Sequence, residues 1–249
     1  MTPLVSVIVP AYRCEKTVEK SIRSALRQSL REIEVIVVDD GSDDGTLPIL
    51  ERLQAEDARV QVIALSENDG VANARNRGVS AARADWIAFL DSDDVWSADK
   101  LARQLKEAEE TDAALVYTAA ECMDANDAPT GKVFRVPKTV AADRLLRGND
   151  VVTSTVLVRR TAYERHPMEC SHLHEDMICW YRILQDGAKA VGIDEPLVRY
   201  RVTQGSKTGN KRKSAAMMWN TYRYLGIAWF RRICCFAGYC LHGIKRYWI

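Results

Sequence analysis

Leu4-Val5-Ser6-Val7-Ile8-Val9, running into Pro10-Ala11-Tyr12, and Trp86-Ile87-Ala88-Phe89-Leu90, running into Asp91-Ser92-Asp93-Asp94, decide the fold of this chain. Each is a short apolar run of strand length that stops at a turn-forming or charged cluster, so each reads as a buried strand that carries its last residues to a sheet edge. Two further runs behave alike: Ile33-Glu34-Val35-Ile36-Val37-Val38 ends in Asp39-Asp40-Gly41-Ser42, and residues 60–65 form a third strand in chain order. Between them, residues 15–30, 46–56 and 71–83 carry helical spacing; Val18, Ile22, Ala25 and Leu26 share one face of the first, with charges opposite.

Strand and helix thus alternate four times in about the first 100 residues, the pattern of a parallel sheet with right-handed crossover helices. In such sheets ligands lie beyond the carboxyl ends of the strands. Pro10-Ala11-Tyr12, Asp39-Asp40 and Asp91-Ser92-Asp93 are therefore expected around one crevice. Downstream, 99–110 reads as a charged helix, 114–118 and 151–158 as strands, and the polar stretch between them as loops. Residues 176–186 read as a helix, 189–202 as strands, and the chain from Ser214 onward as helical and rich in aromatics.

The 249 residues suit one large α/β domain, or one domain with an appendage, and 47% apolar content is enough for a core. The net charge of +1 conceals an asymmetry. Of 35 Lys/Arg and 34 Asp/Glu, ten of the former and none of the latter lie in 201–249, which leaves 25 against 34, a net −9, for 1–200. A basic, aromatic tail on an acidic body predicts an anionic surface as partner; nucleic acid is excluded because no recognition motif accompanies the charge. Seven scattered Cys without a C-x-x-C pair predict reduced thiols in the cytosol. The start, Met1-Thr2-Pro3-Leu4, lacks a basic region and a cleavage site, and no apolar stretch reaches the ~18 residues of a membrane span, so neither a secretory leader nor a spanning helix is expected.

Four clusters carry chemistry. Crowded carboxylates such as Asp91, Asp93 and Asp94 repel one another and are costly to desolvate, a cost that Mg²⁺ or Mn²⁺ with substrate phosphates removes; the plain alternative is a helix cap. A carboxylate of Asp39-Asp40-Gly41-Ser42-x-Asp44-Gly45-Thr46 would accept a base N–H, unless the segment is only a strand–turn–helix junction. Arg75, early in the third helix, suits a phosphate or a neighbouring acid. In His174-Glu175-Asp176 a carboxylate at a helix start stays ionised, as either general base or cap.

Together Pro10-Ala11-Tyr12, Val38-Asp39-Asp40-Gly41-Ser42-x-Asp44-Gly45-Thr46, Asn68-x-Gly70-x-x-x-Ala74-Arg75-Asn76-x-Gly78, Leu90-Asp91-Ser92-Asp93-Asp94 and Glu175-Asp176 resemble, in order and spacing over about residues 4–205, the family 2 glycosyltransferases of bacterial cell-surface polysaccharide synthesis. The resemblance implies a GT-A fold, an α/β Rossmann-like, mostly parallel sheet flanked by helices, here with the basic aromatic helical tail. It divides the chain into a glycosyltransferase domain over 1–210, with a nucleotide-binding half at 1–100 and an acceptor half at 101–210, and a membrane-associating segment over 211–249. By the same resemblance Pro10, Tyr12, Glu15, Asp39, Asp40, Arg75 and Asp91 hold the nucleotide, with Asp40 first for the base edge. Asp93 and Asp91 hold Mn²⁺ or Mg²⁺, and Asp176 is the catalytic base.

The expected activity is inverting, non-processive transfer from a nucleotide-sugar, a UDP-sugar by family habit, to a lipid-linked glycan. The expected location is the cytoplasm, peripheral on the inner face of the plasma membrane, with residues 214–249 on the anionic surface. The Q-x-x-R-W signature of processive synthases is absent, and Tyr200-Arg201 is followed by Val202-Thr203-Gln204 where some members have a metal-binding His, with Ser206 or Lys207 as substitutes at the diphosphate. Competing expectations are an inactive nucleotide-sugar-binding subunit and a nucleotidyltransferase. The latter, like an NAD-dependent enzyme, lacks its glycine-rich loop here.

Overall fold

Val5–Ala11 forms β1, and all seven of its residues are buried. It sits between β2 (Ile33–Asp39) and β4 (Trp86–Phe89), parallel to both, and β2 pairs in parallel with β3 (Val60–Ala64). The structure is a computed structural model that describes residues 2–202 and 211–248. Pro10 lies within β1 rather than ending it. Ile8 O accepts the Leu90 N–H and Ala11 O the Asp40 N–H, so even-numbered residues of β1 bond toward β4 and odd-numbered ones toward β2. Pairing with β4 ends at Ile8↔Phe89, so the amide hydrogen that Pro10 lacks would find no ladder partner.

The crossover helices are α1 (Val18–Leu26), α2 (Thr46–Glu56) and α3 (Val71–Ala81). Alternation along β1 sends Val5, Val7 and Val9 to a core shared with Ile22 of α1 and Leu50 of α2, and Ile8 to the opposite core with Ala74 and Val79 of α3. Gly78 allows α3 to lie directly on the sheet: a Cβ there would stand 2.5 Å from Ile8 Cγ2.

The second half departs from the simple alternation. β5 (Val95–Trp96) leads to α4 (Lys100–Thr111) and β6 (Leu115–Met123). The stretch expected as loops contains the end of β6, the antiparallel strand β7 (Pro129–Phe134) and a short helix α5 (Ala142–Leu145). Where 151–158 reads as a strand, Thr153–Thr155 is a single 3₁₀ turn and only Leu157–Arg159 pairs, as β8. β-Branched residues mark burial as well as extension, and all three of these turn residues are buried. α6 (Arg160–Arg165), α7 (Glu175–Gln185) and β9 (Ala190–Arg201) follow. The sheet order is β3-β2-β1-β4-β8-β6-β9-β5, with β8 antiparallel between β4 and β6 and β7 paired to β6.

The tail is helical, as α8 (Lys211–Tyr224) and α9 (Trp229–Trp248). It packs on the body through Met218, Tyr222, Ile227 and Cys235, all buried in the same core as α7. Tyr222 Oη donates to Leu146 O, and Arg231 pairs with Asp143 at 2.6 Å. The boundary expected at 210/211, and the candidates Ser206 and Lys207, lie outside the described residues. Among the described residues no helix is long and apolar enough to cross a membrane.

Candidate active site

At the carboxyl ends of β1 and β4, and beside the starts of α3 and α7, lies a cleft of about 780 Å³. Pro10, Tyr12, Asp40, Arg75, Asp91, Asp93 and Asp176 all line it. Six of these come from strand ends and helix starts distant in sequence, brought together by the β3-β2-β1-β4 order; Asp176 arrives at the start of α7.

Arg75 is the hub. It is 4% exposed, donates through Nη2 to Asp91 Oδ1 at 2.6 Å and through Nη1 to Glu175 Oε1 at 3.3 Å, and its Nε has no partner among the described residues. Burial works against the guanidinium charge, but Asp91 and Glu175 outweigh it and hold Arg75 above the usual arginine range. The residue expected on phosphate is thus clamped between two carboxylates and orients Asp91. Its neighbour Asn76 ties α3 to the body, donating to Met168 O at 2.7 Å and accepting from Tyr163 Oη at 2.7 Å.

Beyond β4 the acidic cluster is crowded. Burial and the Asp91 charge push the Asp93 carboxyl up to about 6, against the pull of Arg201. Burial, Asp93 and Asp91 hold Asp94 well above the usual carboxylate range. Asp94 is fully buried and accepts the Arg201 N–H at 2.8 Å, while Arg201 Nε donates to Asp93 O at 3.0 Å. Asp94 thus fastens β9 to the β4 end. Asp93 and Asp91 remain as cleft-lining carboxylates whose charges repel, a donor set that suits a hard divalent cation. Among the described residues no group of three or more His, Cys, Asp or Glu is placed to hold a metal.

The β2 end divides its roles. Asp40 accepts the Asp69 and Gly70 N–H groups, both at 2.9 Å, which fixes the entry to α3; Gly70, at φ 91°, supplies the left-handed turn there. Asp39 lies behind the cleft lining, where Oδ2 accepts the Ser42 N–H at 3.2 Å and buried Oδ1 has no partner among the described residues. Glu15 also lies outside the lining: its Oε2 accepts the Gly45 N–H at 2.8 Å, which staples the loop after β1 to the start of α2. Tyr12, beside the Arg13 guanidinium at 5.1 Å, stands exposed at the mouth.

Asp176 sits in the first turn of α7, where the helix dipole favours a carboxylate. Its Oδ2 accepts from Asn149 Nδ2 at 3.3 Å and Thr153 Oγ1 at 3.2 Å, and its Oδ1 from the Met177 N–H at 2.7 Å. Asn149 falls in the stretch read as loop and Thr153 in the run read as a strand, so neither reading places them at Asp176. The tail is equally unannounced as a wall of this site: Ser214, Met218, Tyr239 and His242 line the cleft. The His242 ring covers Gly148, where a Cβ would stand 2.4 Å from its Cγ, and Nε2 lies 3.3 Å from Asp150 Oδ1.

Comparison with known proteins matches this geometry to a family. Residues 6–166 match the model for glycosyl transferase family 2. The chain is 35% identical over 245 residues to the putative teichuronic acid biosynthesis glycosyltransferase TuaG of Bacillus subtilis, covering 98% of this chain and 97% of that one. It is 32% identical to the UDP-Glc:alpha-D-GlcNAc-diphosphoundecaprenol beta-1,3-glucosyltransferase WfaP of Escherichia coli, covering 98% and 95%. In fold it resembles S. aureus TarS 1–349 in complex with UDP-GlcNAc, with TM-score 0.73, 19% identity, and coverage of 97% of this chain and 72% of that one. It also resembles the mannosyltransferase PcManGT of Pyrobaculum calidifontis in complex with GDP-Man and Mn²⁺, with TM-score 0.67, 19% identity, and coverage of 100% and 72%.

Proposed function

The chain belongs to glycosyl transferase family 2 and is a glycosyltransferase with the GT-A fold, and from that premise we propose that it transfers one sugar, with inversion, from a UDP-sugar to a hydroxyl of a lipid-linked glycan in cell-surface polysaccharide synthesis. The observation that carries the reading is the single cleft lined by Asp40, Arg75, Asp91, Asp93 and Asp176. The relatives support the substrate classes: one is named for a UDP-glucose donor and a diphosphoundecaprenol-linked acceptor, and one structural neighbour holds UDP-GlcNAc.

The donor half is 1–100. Tyr12 and Pro10 flank the base, and Asp40, immobilised by two amides, offers its remaining lone pairs to a base N–H. Asp39 and Glu15 act from behind, by shaping the two loops. Asp93 and Asp91 fit a divalent cation, Mn²⁺ or Mg²⁺, because the repulsion between these half-buried carboxylates is relieved by one. Such an ion, when bound, supplies charge neutralisation to the departing diphosphate.

The chain's own residues do the rest. Arg75 fixes the Asp91 carboxylate and adds positive charge beneath the leaving group. Asp176, positioned at the start of α7 by hydrogen bonds from Asn149 and Thr153, takes the proton of the acceptor hydroxyl as that oxygen attacks the anomeric carbon from the opposite face. The carbon–oxygen bond to the diphosphate breaks as the new one forms, with no covalent enzyme intermediate. The acceptor half, 101–210, and the tail, 211–249, close the other side, and residues 214–249 hold the enzyme peripherally on the anionic inner face of the plasma membrane.

The test is thermal stabilisation by UDP, GDP, ADP, CDP and dTDP, each with and without Mn²⁺. A ligand at about 100 times its dissociation constant adds about 2.7 kcal/mol. UDP acting only with metal, and losing its effect in Asp93→Ala, is the expected outcome. Stabilisation by no nucleotide at saturation overturns the donor assignment.

A further inference from the structure

Helix α9 has two unlike faces. At 100° per residue, Phe230, Ile233, Cys234, Ala237, Leu241 and Ile244 fall within an arc of about 100° along a helix about 30 Å long. All six are exposed, and Phe230, Ile233, Leu241 and Ile244 lie between 49% and 68% exposed. The opposite side carries Cys235, buried in the core, and Tyr239 and His242, which line the cleft. Cys240 and Ile244 belong to both, since they line the cleft and are exposed, so the cleft rim adjoins the apolar stripe.

A continuous exposed apolar stripe marks an interaction surface rather than ordinary surface variation. Its charge setting identifies the occupant. Residues 201–249 hold ten Lys/Arg and no acid, with Lys213 and Arg223 exposed on α8 and Lys245-Arg246 at the far end of α9. An amphipathic helix in a purely basic segment is drawn to anionic headgroups and seats its apolar face at the acyl boundary.

We propose that the outward stripe of α9 docks on an anionic bilayer, and that this orients the cleft rim at Cys240 and Ile244 toward the membrane so that a lipid-linked acceptor enters from the bilayer side. The inference rests on the transferase reading for its acceptor, while the docking face stands on the surface of α9.

The full chain, Ile233→Glu/Leu241→Glu and Ile233→Trp are compared by co-sedimentation with phosphatidylglycerol and phosphatidylcholine vesicles, by gel filtration, and by transfer to a vesicle-embedded and to a water-soluble short-chain acceptor. Neither position lines the cleft, so melting temperature and transfer to the soluble acceptor stay at the level of the unmodified chain. The unmodified protein and Ile233→Trp sediment with phosphatidylglycerol and not with phosphatidylcholine, and the double Glu variant partitions about tenfold more weakly or worse. Transfer to the embedded acceptor falls in step. Equal sedimentation of the Glu variant, or no sedimentation of the unmodified protein, overturns the proposal. So does a dimer that the Glu variant splits while vesicle binding is unchanged, because a second copy then covers the stripe. If vesicle binding follows the expected pattern but nothing is transferred to the soluble acceptor, the docking face stands and the transferase reading fails.

Discussion

Arg75 holds the Asp91 carboxylate at 2.6 Å from a position that is 96% shielded from solvent, with Glu175 on its other side. A buried cation between two acids cannot be removed without leaving like charges face to face. Arg75→Gln is expected to lower stability by about 3–5 kcal/mol and to abolish stabilisation by nucleotide. Adding Glu175→Gln restores part of the melting temperature and none of the transfer. Unfolding curves for the single and double variants, with and without UDP and Mn²⁺, check both halves.

Asp176→Asn keeps the shape of the side chain and its place between Asn149 and Thr153, but it cannot take a proton. Transfer of a radiolabelled sugar is expected to fall by about 10²–10⁴-fold while nucleotide stabilisation is retained. Turnover near the unmodified level would remove the assignment of the base.

Lys100 is fully buried at the start of α4. Burial pushes its ammonium well below the usual range, and Nζ donates to Gln104 Oε1 at 2.8 Å. Gln104 in turn holds Thr155 O and Val116 O, supporting the turn that carries Thr153. The unfolded chain therefore binds a proton that the folded one does not between the depressed value and the usual lysine value near 10.5, and stability from this group rises as pH rises through that window. Thermal melts from pH 7 to 10 are expected to show a smaller upward slope for Lys100→Met than for the unmodified chain; an identical slope would mean that Lys100 is charged in the fold.

Gly148 is where the tail meets the loop that holds Asp176. A Cβ there collides with the His242 ring, so Gly148→Ala is expected to cost about 1–3 kcal/mol and to displace α9 from the 148–153 loop. UDP with Mn²⁺ should stabilise the variant as before, while kcat for transfer drops, because the disturbance lies on the acceptor side. Weaker nucleotide binding with unchanged kcat would contradict that division.

The N-terminal half was legible because its physics is local. Apolar runs such as Val5–Val9 and Ile33–Val38 have strand length, the intervening helices have a 3.6-residue period, and their alternation means a parallel sheet with right-handed crossovers. A crevice at the carboxyl ends of β1, β2 and β4 follows from that parallel arrangement, while the order β3-β2-β1-β4 is seen only in the structure. The region 119–158 was less legible: Thr153–Thr155 shows the residue types of a strand and forms a turn, and β7 sits in a stretch whose prolines and glycine read as loop. There burial and pairing partners, not propensity, choose the conformation.

The sequence by itself determined the family, the parallel half of the sheet and the convergence of carboxylates on one edge, because strand length, helical period and motif order are properties of neighbouring residues. Only the tertiary structure decided that Arg75 is clamped by Asp91 and Glu175, that Glu15 and Asp39 lie outside the cleft lining, and that Asn149, Thr153 and His242 line it. These depend on contacts across up to a hundred residues or between helix faces, where hydrogen-bond geometry and burial select one partner among many of the same chemical type.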